Sequence, residues 1–186
     1  MMRHLPNAIT ALRIAVTPWI GVLVVRGEWR NAFALVLAAG LSDGLDGWLS
    51  RRFGWQSRLG AYLDPLADKA LLATLFLALG WVGALPWWMV GLAFGRDLMI
   101  LTFAAYGMAA KGIRNFPPSL WGKLSTALQL LLCGGAVLKG AWPENFLAGW
   151  VPAVLWASAA ATGWSGMHYA LTGYRMMKKE AHVAAK

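Results

Sequence analysis

The feature that most constrains this chain is a succession of long apolar blocks, each broken by a short polar loop. The blocks run over about 8–25, 31–50, 60–84, 87–109, 120–140 and 147–172. A helix needs roughly 20 apolar residues to cross a hydrocarbon core, and each block is of that order. Lipid offers no hydrogen bonds to a bare backbone, so each crossing must be helical. The sequence has no alternating pattern of the kind a membrane barrel requires. Six crossings use up a chain of 186 residues and leave no room for a separate soluble domain. The expected fold is therefore an all-α integral membrane protein with six transmembrane helices, forming a single membrane domain over 1–186. Composition agrees: 59% of residues are apolar and 13% charged, whereas a soluble domain has about 25% charged residues. Residues 1–7 are too short for a transit peptide. The apolar run after them shows no clear cleavage site, so it reads as a first membrane helix and not a removed signal.

Charge gives the orientation. A net charge of +9 can signal nucleic acid, but a mean hydropathy of +0.52 argues against that partner. Cytoplasmic loops of membrane proteins collect Lys and Arg. With both termini cytoplasmic, the inner segments hold Arg3, Arg51, Arg52, Arg58, Lys69, Lys111, Arg114, Lys123, Arg175, Lys178, Lys179 and Lys186. The outer loops hold Arg26, Arg30 and Lys139, while Arg13 and Arg96 fall within helices. Five or seven crossings would spoil this asymmetry. The 12 Trp suit the membrane interfaces. Pro117-Pro118 and Pro143 mark turns on either side of the fifth block. The single cysteine, Cys133, lies among leucines and reads as a small buried apolar residue.

Four of only eight acidic residues fall in one window. Asp43 and Asp46 are three apart at the end of the second helix, and Asp64 and Asp68 four apart at the start of the third. Each pair shares a helix face. A short link folds the third helix back beside the second, so all four carboxylates can point at one small volume. Two carboxylates about 4 Å apart repel by roughly 4 kcal/mol at an effective dielectric near 20. Four in one pocket must mostly protonate or bind metal. Oxygen donors without His or Cys select magnesium, manganese or calcium over zinc, and four suffice for two ions, an arrangement suited to displacement at phosphorus. Gly47 and Gly60 allow close approach of a ligand or a neighbouring helix. Arg51 is placed to hold a phosphate.

The pattern Asp43-x2-Asp46-Gly47-x2-Ser50-Arg51-x8-Gly60-x3-Asp64-x3-Asp68 resembles the signature of the CDP-alcohol phosphatidyltransferase family. Ser50 stands where that family usually has Ala. The resemblance extends over the whole chain, because the family core also has six membrane helices. It implies attack by an alcohol on the lipid-bearing phosphate of CDP-diacylglycerol, with release of CMP. Asp43, Asp46, Asp64 and Asp68 would then hold two Mg2+ or Mn2+ ions. Asp68 would also be the general base, and Gly47, Arg51 and Gly60 would contact the nucleotide. Residues 5–13 (LPNAITALR) resemble the Pro-Asn-x-x-Thr-x-x-Arg opening of many phosphatidyltransferases, which adds Asn7 and Arg13 to the nucleotide pocket. Helix bundles of this family commonly pair up, so a homodimer is compatible with the resemblance; the expected location is the bacterial cytoplasmic membrane, and the basic asymmetry puts the active site on its cytoplasmic face.

The acceptor alcohol is read from weaker features. Residues 95–100 (GRDLMI) resemble a segment of eukaryote-type cardiolipin synthases, and His168-Tyr169 is similar to a His-Tyr pair there. Residues 122–129 (GKLSTALQ) resemble a stretch shared with the glycerophosphate-using relatives. These features make Arg96, Asp97, Lys123 and His168 the acceptor-side residues and favour phosphatidylglycerol, with glycerol 3-phosphate second. Arg96 and Asp97 are neighbours on a helix and point in different directions, so their spacing does not require a pair. A transporter whose carboxylates line a cation path is the alternative class. No second acidic layer continues across the membrane to support it.

Overall fold

The computed structural model describes the backbone of residues 5–53, 58–111, 120–144 and 149–184. Side chains are described over the same stretches except at 5–7, 45–51, 53, 58–62, 104, 106–111 and 173–184. Six helices follow one another, with no strand among the described residues: α1 (Leu5–Val25), α2 (Trp29–Phe53), α3 (Arg58–Trp81), α4 (Trp87–Lys111), α5 (Leu120–Ala141) and α6 (Val151–Ala184).

Two boundaries differ from the sequence expectation for physical reasons. Helix α3 stops at Trp81 and not near 84, because Gly83 adopts φ 73° and turns the chain. The Gly83 N–H donates to the Gly80 carbonyl and the Ala84 N–H to the Leu79 carbonyl, a Schellman closure. Helix α6 begins at Val151, with Pro152 in its first turn where a missing N–H costs little, and continues to Ala184. Its polar last part is rich in good helix formers, which an apolar count does not see.

Among the described residues, two helices are apolar enough by length and composition to cross a membrane: Ala8–Val25, with mean hydropathy 1.9, and Leu120–Ala141, with 1.4. The others carry charge within their length, such as Asp43 and Asp46 on α2, Asp64, Asp68 and Lys69 on α3, and Arg96 and Asp97 on α4.

The chain forms two compact units. The first is Met1–Pro86 with Cys133–Val151, and the second is Trp87–Leu132 with Pro152–Lys186. In the first unit α1 packs on both α2 and α3. The buried stripe of α1 is Thr10, Arg13, Thr17, Ile20 and Val24, recurring every three or four residues. Its first half is polar and its second half apolar. The apolar half lies close against α3: a Cβ on Gly21 would sit 2.7 Å from Thr74 Cγ2. The Thr17 hydroxyl donates to the Arg13 carbonyl at 2.7 Å beside Pro18, which has no N–H to give. Helix α1 closes at Gly27 as α3 does at Gly83, with φ 76° and a bond from the Glu28 N–H to the Leu23 carbonyl.

The second unit has a polar interior. Arg96, Ser125, Gln129, Ser158, Thr162 and Ser165 are all buried. Ser125 and Thr162 bond at 3.0 Å, and Gln129 Nε2 donates to the Thr162 hydroxyl at 3.0 Å. Small residues and hydroxyls of this kind join helices where no hydrophobic force separates protein from solvent. Outward faces are apolar: Trp19, Leu37, Leu41, Leu66, Trp81, Leu98 and Leu120 are all exposed. In the second unit buried polar groups thus stand against exposed Leu98 and Leu120, the reverse of a water-soluble protein.

Candidate active site

Three helix ends of the first unit meet at the carboxylates. Helix α1 brings Thr10 and Arg13 near its start, α2 brings Asp43 in its second half, and α3 brings Asp64 and Asp68 two to three turns from its start. Because α1 and α3 run one way and α2 the other, these positions lie at the same end of the unit. The glycine closures of α1 and α3 lie at the opposite end.

Arg13 is the centre of the arrangement. Its Nη1 donates to Asp43 Oδ1 at 2.5 Å and to Asp68 Oδ1 at 2.8 Å. The guanidinium is buried, with its side chain 2% exposed, while Asp43 and Asp68 are 44% and 50% exposed. The positive charge therefore sits beneath the carboxylates, which open outward. The buried Thr10 hydroxyl donates to Asp64 Oδ1 at 2.9 Å. Thr10 and Arg13 are three apart on one face of α1, so they address acids of both neighbouring helices from one side.

The structure thus joins Asp43 and Asp68 through Arg13, and holds Asp64 on Thr10 one turn away on the same face of α1. Asp46, Gly47 and Arg51 fall in the last turns of α2, Gly60 in the first turn of α3 and Asn7 in the first turn of α1, and their side chains lie outside the described residues. Among the described residues no three His, Cys, Asp or Glu side chains are gathered as a metal cluster. The described set has a built-in cation, Arg13, holding two of its members. Its donors are nonetheless carboxylate oxygens, the chemistry that fits magnesium or manganese.

Sequence spacing missed the bonds from Arg13 and Thr10 to the acids. The available signal was their shared helix face within the Pro6-Asn7-x-x-Thr10-x-x-Arg13 opening.

In the second unit Arg96 and Asp97 do form a pair, which their adjacency did not require. Arg96 Nη1 donates to Asp97 Oδ1 at 2.6 Å. The long arginine side chain reaches round the helix, which a rule based on Cβ direction does not anticipate. Arg96 also donates to the Ser165 hydroxyl at 3.1 Å and the Gly122 carbonyl at 3.4 Å, and lies over the Tyr169 ring. Lys123 and His168 are exposed, His168 standing edge-on to Tyr169.

Comparison with known proteins gives the family. A probable cardiolipin synthase (CMP-forming) of Drosophila melanogaster is 32% identical over 159 residues, 77% of this chain and 49% of the relative. A chloroplastic CDP-diacylglycerol–glycerol-3-phosphate 3-phosphatidyltransferase of Oryza sativa is 30% identical over 192 positions, 94% of this chain and 58% of the relative. The chain thus spans about half the length of these two curated relatives. A probable phosphatidylglycerophosphate synthase of Mycobacterium tuberculosis is 32% identical over 151 residues, 78% of this chain and 71% of the relative. Residues 3–164 match the family model itself, so this chain belongs to the CDP-alcohol phosphatidyltransferase family.

Proposed function

We propose that this protein is a membrane phosphatidyltransferase of phospholipid biosynthesis, moving a phosphatidyl group from CDP-diacylglycerol to an alcohol with release of CMP. The observation that supports this reading is that Thr10 and Arg13, on one face of α1, bond to Asp43, Asp64 and Asp68 of the two neighbouring helices, in a chain of this family. Asp43, Asp46, Asp64 and Asp68 would hold two magnesium or manganese ions. Ions held there would supply positive charge to neutralise the pyrophosphate and stabilise the leaving CMP.

The chain's own residues do the rest. The half-exposed Asp68 carboxylate takes the proton of the acceptor hydroxyl. As it does so, the acceptor oxygen bonds to the lipid-bearing phosphorus and the bond from that phosphorus to the CMP oxygen breaks. Arg13 fixes Asp68 from below, and Thr10 orients Asp64. Gly47, Arg51, Gly60 and Asn7 line the nucleotide side.

Phosphatidylglycerol is the acceptor in this reading and cardiolipin the product. Arg96, Asp97, Lys123 and His168 form the acceptor side. Exposed Lys123 and His168 are open to a ligand, while buried Arg96 orients Asp97 and Tyr169. A second reading, glycerol 3-phosphate as acceptor, is favoured by the rice and mycobacterial relatives. All six helices cross the cytoplasmic membrane, with both termini and the acidic end on the cytoplasmic side.

The test supplies purified protein with CDP-diacylglycerol and magnesium, then offers phosphatidylglycerol or glycerol 3-phosphate separately. Cardiolipin and CMP with phosphatidylglycerol alone support the first reading. Phosphatidylglycerophosphate with glycerol 3-phosphate alone supports the second. Absence of CMP with either alcohol overturns both.

A further inference from the structure

Arg13 sets a condition on cation binding. It occupies an oxygen of Asp43 and an oxygen of Asp68 through two charge-assisted hydrogen bonds, from a side chain only 2% exposed. A divalent cation drawn to the same carboxylates meets both this competition and the repulsion of a buried positive charge. The guanidinium in turn cannot stand alone. A buried charge that loses two of its anionic partners is strongly destabilised, so it is drawn to any other anion in reach.

We propose that Arg13 is an internal counter-ion that competes with the divalent cations for Asp43 and Asp68, and that it changes partner when they bind. In the metal-free protein it holds the two carboxylates together against their mutual repulsion. When metal takes those oxygens, the guanidinium is released to the pyrophosphate, the anion that the CDP-lipid brings to the same pocket. Metal and CDP-lipid then bind with positive coupling, because each relieves the charge the other leaves unpaired. This inference rests on the metal dependence in the proposed function. Arg13 acts here as a positioning residue for the acids.

The experiment titrates the purified full-length protein with Mn2+ and follows free Mn2+ by its electron paramagnetic resonance signal, without substrate at first. Arg13→Gln is expected to bind Mn2+ about tenfold tighter than the parent, the equivalent of removing one nearby repelling charge. Arg13→Lys should fall between them, since an ammonium keeps the charge but not the fork. Adding CDP-diacylglycerol should tighten Mn2+ binding in the parent and lose that effect in Arg13→Gln. Equal or weaker Mn2+ binding by Arg13→Gln overturns the competition and leaves the metal-dependent reading standing. No Mn2+ binding by any of the proteins overturns both. If Arg13→Gln does not yield a folded protein, Arg13→Lys carries the test, tighter binding supporting the proposal and equal or weaker binding overturning it.

Discussion

Asp68 combines two properties that a general base requires. Its carboxylate is half exposed, so an acceptor hydroxyl can reach it, and Arg13 holds it in one orientation. Asp68→Asn keeps the shape and the hydrogen-bonding oxygen but cannot accept the proton. Turnover should fall by about 10²- to 10⁴-fold, while CDP-diacylglycerol binding, measured by equilibrium binding of the labelled lipid, stays close to the parent. Substantial remaining CMP release would remove Asp68 from that role. Asp43, Asp64 and Asp68 stood out in the sequence because the acidic spacings of three and four are local and helical. The partners of Arg13 were not, because Asp43 and Asp68 lie 30 and 55 residues away. A lone arginine in an apolar helix carries no sign of which distant carboxylate it will meet. The same holds for Thr10, whose bond to Asp64 spans 54 residues.

At the scale of the helices, the site depends on how closely α1 lies against α3. Gly21 sets that distance at the contact with Thr74. Gly21→Val should push the helices apart and cost about 1–3 kcal/mol, the usual range for overpacking. It should also lower activity, because Arg13 and Asp68 ride on these two helices. Thr74→Ser removes the methyl that clashes and should recover part of both losses, which thermal unfolding in detergent and CMP release together will read. Failure of Thr74→Ser to recover either would mean that another contact sets the approach. Six helices were legible from apolar blocks alone, and α1, α4 and α5 agree with the expected positions to within a few residues. The end of α3 was decided by a left-handed glycine and the length of α6 by a polar tail, neither of which an apolar window records.

For the whole molecule, the proposed topology puts both termini on the cytoplasmic side. Glu144, after α5, and Arg52, at the end of α2, are exposed and fall on opposite sides in that topology, while the native Cys133 is buried and silent. A membrane-impermeant maleimide should label Glu144→Cys in intact cells and Arg52→Cys only after permeabilisation. The reverse pattern would invert the chain. The family match answers the transporter alternative, which the acidic cluster alone had left open. The division into two compact units was not legible, because α5 gives its first part to one unit and its last part to the other without any break in its apolar pattern.

Leu41 and Leu66 are both more than half exposed, each within two residues of a carboxylate of the site. Residues two apart on a helix point to opposite sides, so these leucines give α2 and α3 an apolar outer surface at the level of the acids, and an amphiphile can keep its tails in hydrocarbon up to the height at which its phosphates meet the carboxylates. Such a substrate never has to leave its leaflet. It arrives by sliding sideways, and the quantity that governs encounter is its density in two dimensions. Diluting the lipid with an inert amphiphile will therefore slow the enzyme even when the number of substrate molecules in the tube is unchanged.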